Sequence, residues 1–287
     1  MRRIGILPAF LFIAPALFCM DWPSPSGMTA MNFGWNDRGM PHLGVTFDDE
    51  GTIAAAESGE LLFRRGEGDT ASRLPSPLGS WAALDHGDGI ISIYSRFSDR
   101  PGASGQISGV VEKNRVLGES GTSGWSNRGG FYFQLFDRKE RRWINPSLII
   151  TSTDTTRPPV ITKVTLRNAE GTIFDPAQTK NLSQGRYVVM VDASTQGPNN
   201  SALAPYRIIC SLNGAETGML NFETYSARDG SLMVYRNGLV PVRQVFAPVP
   251  GYEIADVWFT RGQSTLEIIA QDIAGNVRNA VYRLMVE

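Results

Sequence analysis

From residue 41 to the C-terminus, apolar residues fall in short runs punctuated by Gly, Pro, Asn and Asp. That is the pattern of strands joined by turns, and no stretch shows the 3.6-residue repeat of a convincing amphipathic helix. In the first half the pattern predicts strands at Thr52–Ala56, Glu60–Phe63, Trp81–Leu84 and Ile90–Tyr94. The polar stretch Gly66–Ser80, with Pro75 and Pro77, reads as an irregular insertion. After Thr151–Pro159, polar and closed by two prolines, alternation resumes. Val160, Ile161, Val164 and Leu166 are followed by runs at Tyr187–Val191, Tyr206–Ile209, Ser231–Tyr235, Ser264–Ala270 and Ala280–Leu284. Runs of this length with turns between them imply an antiparallel β-sandwich. The expected fold class is all-β, with a first domain at 41–150, a linker at 151–159 and a second domain at 160–287. Residues 20–40, rich in Ser, Pro, Gly and Met, read as an extended lead-in.

The N-terminus adds a compartment. Arg2 and Arg3 precede an almost unbroken apolar run, Ile4–Phe18, broken by Pro8 and Pro15. A short basic start and an apolar stretch of about 15 residues make a secretory signal peptide, and fall short of the roughly 20 that span a bilayer. Residues 1–19 are therefore expected to direct export, with no later segment apolar enough to cross a membrane. Cys19 raises lipid anchoring, against which Phe18 is a poor residue to precede a lipidated cysteine. If residue 19 is removed, Cys210 is the only cysteine, and one thiol closes no intrachain disulfide. Cys210 lies in the run Tyr206-Arg207-Ile208-Ile209-Cys210 and reads as a buried structural thiol. The 27 Lys and Arg balance 28 Asp and Glu, so the charge offers no footprint for nucleic acid. Hydrophobic residues at 42% and charged ones at 19% suffice for a core and exclude wholesale disorder.

Three stretches set chemistry-bearing residues in a glycine framework. The first is Pro41-His42-Leu43-Gly44-Val45-Thr46-Phe47, followed by Gly51-Thr52 and an Ala-rich strand. The second is Leu84-Asp85-His86-Gly87-Asp88-Gly89, running through Ile93-Tyr94-Ser95-Arg96-Phe97. The third begins at Val116-Leu117-Gly118, passes Gly121 and Gly124, and reaches Gly129-Gly130-Phe131-Tyr132-Phe133-Gln134 and then Asn145-Pro146. In order and spacing they resemble the lysostaphin/LytM-type zinc metallopeptidases, which cut peptidoglycan cross-bridges. The corresponding family stretches are H-x-G-x-D, then D-H-G-x-G-x-x-T-x-Y-x-H-L, then G-P-H-L-H-F-E followed by N-P. The resemblance covers 41–150 and implies a LytM-type β-sheet or half-barrel. In the second half, Ala270-Gln271-Asp272-Ile273-Ala274-Gly275-Asn276 resembles a turn near the end of bacterial immunoglobulin-like domains. There Asp272 and Asn276 would hydrogen-bond the turn and Gly275 would supply positive φ.

In the resembled family, zinc is held by the His and Asp of the first motif and the last His of H-x-H. The other two histidines handle the proton of the attacking water. Zinc catalysis takes about three protein ligands and one open position. By resemblance His42 falls on the first ligand, Thr46 on the second and Arg96 on the middle-motif histidine. Counting back from Asn145-Pro146 without a gap places Tyr132 and Gln134 on H-x-H, whereas another register puts Phe131 and Phe133 there. The chain has two histidines, and His86 falls where the family has a non-ligand His. Rescue of the metal would need Asp48, Asp49 or His86 to swing in.

The expectation is thus no catalytic residue, with Arg96 and Tyr132 at degenerate positions, and no metal or cofactor, zinc entering only with substituted ligands. His42, Thr46, Arg96, Tyr132 and Gln134 remain candidates for a groove that hydrogen-bonds a peptide or its carboxylate, with Arg96 as the charged anchor; they could equally just fill the space. The resemblance implies a periplasmic or envelope-associated, catalytically inactive homologue that binds peptidoglycan or regulates a peptidoglycan hydrolase. An active zinc metalloendopeptidase with substituted ligands and a structural envelope scaffold are the alternatives. Gly118–Gly130 lacks the lysine of a phosphate loop, and Asn181-Leu182-Ser183 and Asn199-Asn200-Ser201 read as turns. The aromatics Tyr225, Tyr235, Phe246, Tyr252, Trp258 and Phe259 read mostly as core and sandwich-edge packing.

Overall fold

Strand β11 (defined below) shows why the chain folds as it does: Phe131, Phe133 and Leu135 point into a core and are at most 1% exposed, while Tyr132 and Gln134 take the opposite face. The computed structural model describes residues 20–24, 28–48, 50–66, 75–99, 107–125, 130–150, 157–197, 200–247 and 250–287. The expected signal peptide with Cys19, Asp49, Gly129, residues 67–74 of the insertion and 151–156 of the linker lie outside these residues.

Among the described residues the regular structure is all β, apart from short 3-10 turns. The first half supplies β1 (Thr29–Met31), β2 (Asn36–Asp37), β3 (Met40–Pro41), β4 (Val45–Phe47), β5 (Thr52–Ala54), β6 (Gly59–Arg65), β7 (Trp81–Asp85), β8 (Ile90–Ser95), β9 (Val110–Val111), β10 (Val116–Glu119), β11 (Phe131–Asp137) and β12 (Arg142–Ile144). Strands β4, β11, β8, β7, β6 and β9 lie side by side in that order, all antiparallel. Their core gathers Phe47, Tyr94, Phe97, Phe131 and Phe133.

The second half supplies β13 (Val160–Asn168), β14 (Ile173–Phe174), β15 (Asn181–Leu182), β16 (Gly185–Gln196), β17 (Ala202–Leu203), β18 (Arg207–Leu212), β19 (Ala215–Arg228), β20 (Ser231–Arg236), β21 (Leu239–Pro241), β22 (Tyr252–Phe259), β23 (Gly262–Gln271) and β24 (Val277–Val286). One sheet holds β13, β16 and β22, and another β24, β23, β18 and β19. Val189 and Val191 of β16 meet Ile208, Leu220, Phe222 and Ile268 in one core. At the β23–β24 turn, Asp272 accepts from the backbone and side-chain nitrogens of Asn276, each at 2.8 Å, and Gly275 has φ 90°.

Two features join the halves. Strand β12 pairs with β11 on one side and β19 on the other, so one hydrogen-bonded sheet runs through both. Asn145, buried just after β12, caps the Pro146–Leu148 turn and donates from Nδ2 to the Phe222 carbonyl at 2.9 Å. The second feature is the lead-in, which differs from a plain extended arm. It forms β1 and the β2–β3 hairpin and puts Phe33, 1% exposed, into the second half's core. Asn32 exchanges two hydrogen bonds with Ala204, at 2.9 and 2.7 Å, and Tyr252 donates to the Gly34 carbonyl at 3.1 Å. Burial of the Phe33 ring offsets part of the cost of ordering this segment, and the flanking hydrogen bonds and strand pairings supply the rest of its anchorage.

Four of the six aromatics read mostly as core and sandwich-edge packing are buried. Tyr235 and Trp258 are 41% and 59% exposed, because each falls on the outward phase of its strand; Tyr225, Phe246, Tyr252 and Phe259 are buried. Cys210 is buried, and burial pushes its thiol up to about 11, which leaves it unreactive.

Candidate functional site

Register brings the site together. Thr46 of β4 lies opposite Tyr132 of β11, and Ser95 of β8 flanks Tyr132 on the other side. Phe131 and Phe133, the other register, belong to the core. Ser95 Oγ donates to the Tyr132 carbonyl at 3.1 Å. Arg96 follows at the end of β8 with φ 68°, and His42 follows β3 directly. Its backbone N–H donates to Trp35 and its carbonyl accepts from Gly34, so the lead-in hairpin holds the histidine in place.

The side chains then converge. His42 Nε2 lies 3.0 Å from the Thr46 hydroxyl, and its ring lies against Tyr132 with centroids 4.7 Å apart. The Arg96 guanidinium sits over the same Tyr132 ring, 5.3 Å from its centroid. Gln134 and Tyr132 pack across Gly44 so closely that a Cβ there would lie 2.7 Å from Gln134 Cγ, 2.8 Å from the Tyr132 ring and 2.2 Å from the Phe133 carbonyl. All five predicted residues therefore lie in one neighbourhood, with Gln134 contributing packing.

The electrostatics leave one charge. Burial, helped by Arg96, pushes His42 down to about 3, so its imidazole is neutral near pH 7. Burial raises the Tyr132 phenol well above its ordinary value, only partly opposed by a hydrogen bond from the Leu43 backbone and by Arg96. Burial also lowers Arg96, yet a guanidinium stays protonated in proteins.

A zinc ion does not fit this donor set. One imidazole, a hydroxyl, a phenol, an amide and a guanidinium do not supply three metal ligands, and the fixed cation repels a metal. Among the described residues no group of three or more His, Cys, Asp or Glu is placed to hold a metal. His86 is committed elsewhere: Nδ1 donates to the Ser58 carbonyl at 2.8 Å and Nε2 is hydrogen-bonded to Ser92 Oγ at 2.7 Å. Ser92 in turn reaches the buried Tyr94 hydroxyl, making a structural polar chain behind the sheet. Asp48 is exposed, and Asp49 lies outside the described residues.

Sequence reasoning missed a neighbouring cleft of about 800 Å³, lined by Glu50, Thr52, Asp99, Glu119, Ser120 and Ser123 among others. Its wall is stitched to the site's strand, since Gly121 N–H donates to the Arg96 carbonyl and Ser98 N–H to the Glu119 carbonyl, both at 2.8 Å. The acidic residues that end β10 and follow β8 were the available signal, but they come together only through the fold.

Comparison with known proteins gives partial likenesses. A family model matches residues 158–287. No curated protein matches the chain. Among solved structures, it is similar to the catalytic domain of the prophage-encoded M23 protein EnpA from Enterococcus faecalis, at 18% identity over 42% of this chain and 87% of that one, TM-score 0.34. It is similar to the catalytic domain of the antimicrobial peptidase lysostaphin from Staphylococcus simulans, at 22% identity over 39% of this chain and 82% of that one, TM-score 0.32. A third likeness is to the SpoIIQ–SpoIIIAH pore-forming complex, at 16% identity over 46% of this chain and 92% of that one, TM-score 0.36. The structural neighbours thus include M23 and lysostaphin peptidase structures.

Proposed function

We propose that this chain is an exported, catalytically inactive relative of the LytM/lysostaphin peptidases, acting in the periplasm or cell envelope as a binding or regulatory module on peptidoglycan or a peptidoglycan hydrolase. The observation that carries the reading is the cluster His42–Thr46–Tyr132–Arg96. In the resembled family these positions hold zinc and move protons; here they pack on one another around a fixed cation. A guanidinium cannot act as a base near neutral pH, and the one imidazole present is hydrogen-bonded to Thr46. What persists is the glycine framework, with Gly44 letting three side-chain and backbone layers meet. On this reading residues 1–19 direct export, and 160–287 form an immunoglobulin-like sandwich that serves as a spacer or second contact. Among the described residues no helix is long and apolar enough to cross a membrane.

The test is zinc content and activity measured together on the mature chain, residues 20–287. After dialysis against zinc, the expected result is far less than one tightly bound zinc per chain and intact cross-linked muropeptides. Cosedimentation with purified peptidoglycan, or a raised turnover of a purified envelope amidase, completes the expected outcome. About one zinc per chain with chelator-sensitive cleavage would instead establish a peptidase with substituted ligands. Neither binding nor activation would favour the scaffold.

A further inference from the structure

Arg96 differs from several arginines that are paired with acids. Arg138, Arg142, Arg167 and Arg186 each sit on a carboxylate. Among the described residues Arg96 has no carboxylate partner, and no protein acceptor takes its guanidinium N–H groups. None of its nitrogens is among the buried polar atoms left without a partner, so those donors face solvent. Yet the side chain is half-buried, stacked on Tyr132, and carried on a backbone at φ 68°, a left-handed conformation that non-glycine residues adopt at a cost. A strained, partly desolvated cation with its donors free is a site in want of an anion.

We infer that Arg96 anchors the free C-terminal carboxylate of an extended peptide, an inference that rests on the binding-module reading above. A planar fork of N–H donors matches the two oxygens of a carboxylate. A single positive charge suits a monoanion, because His42 stays neutral beside it. The cleft that adjoins the Arg96 backbone through Gly121 carries Glu50, Asp99 and Glu119, whose charge disfavours a phosphate dianion nearby and suits the amide N–H groups and amines of a peptide. The cleft, at about 800 Å³, has room for the residues that precede the carboxylate.

Isothermal titration of the mature chain tests this with diacetyl-Lys-D-Ala-D-Ala, the same peptide as its C-terminal amide, and inorganic phosphate. The acid should bind at least about tenfold more tightly than the amide, the loss expected for one charge-assisted bidentate contact. Arg96→Gln should remove the same factor, with Arg96→Lys intermediate. If the Gln variant fails to fold, Arg96→Asn, better suited to positive φ, takes its place. Equal binding of acid and amide would overturn the anchor and leave the binding-module reading standing. Competition by phosphate as effective as the peptide acid, or no binding of either peptide, would also overturn it. Zinc-dependent cleavage of the peptide would overturn both.

Discussion

At the scale of single residues, His42 lies in an environment far from that of the unfolded chain. Its imidazole takes a proton near 6.5 when unfolded and only near 3 when folded. Between those values the unfolded state binds more protons, so stability falls as pH drops from about 6.5 toward 3. His86, lowered in the same direction by burial, adds to that slope. In a histidine-resolved NMR titration, His42 should stay neutral down to about pH 4, and Arg96→Gln should move its titration upward. Protonation of His42 near 6.5 in the folded chain would contradict the burial described here. Gly44 makes the complementary case through space alone. Gly44→Ala places a Cβ against the Phe133 carbonyl at 2.2 Å, and should destabilise by about 1–3 kcal/mol in denaturant melts while displacing Tyr132. Wild-type stability in that variant would show that the site floor is loose.

At the scale of elements, the legible part of the fold is the part with clean alternation. Strands β5–β8, β13, β16, β18, β20, β23 and β24 all coincide with apolar runs visible in the sequence. The longest strand, β19, escaped because Gly218, Asn221 and Glu223 interrupt its pattern and a register shift between Asn221 and Tyr225 changes its phase. Strand β12 has three residues, too few for any periodicity. The site was legible in part. Counting from Asn145-Pro146 brings Tyr132 and Gln134 to the open face, and the register across β4 and β11 does place Tyr132 beside Thr46. The role of the lead-in was not legible, because a Phe between Asn and Gly carries no periodic signal. Its energetic weight can be measured. Phe33→Ala should cost about 3–5 kcal/mol and destabilise the core of residues 164–286, although Phe33 lies more than a hundred residues before it. Hydrogen exchange would read this as faster opening of β19 and β22; a change confined to the first half would refute the shared core.

At the scale of the whole molecule, a linker of polar residues and prolines suggests two independent units, but the described contacts tie the halves at three places. These are the β12–β19 ladder, the Asn145 bond to Phe222, and the lead-in seated on Ala204 and Tyr252. Ladders and buried polar bonds of this kind couple unfolding. Scanning calorimetry of the mature chain should therefore show one transition with equal calorimetric and van't Hoff enthalpies, while two resolved peaks would show that the junction is weak.

The lead-in also decides how the protein answers a mechanical load. Asp21 N–H donates to Ala56 and Ala54 N–H to Pro23, both at 2.9 Å, and beyond them come the Asn32–Ala204 pair and the hairpin that carries His42. A pull on the chain at residue 20 strains these bonds and the β1–β4 pairing in turn. Tension from that end would therefore travel through the lead-in to the His42–Thr46–Tyr132 floor, which makes this arm the route by which a load reaches the groove.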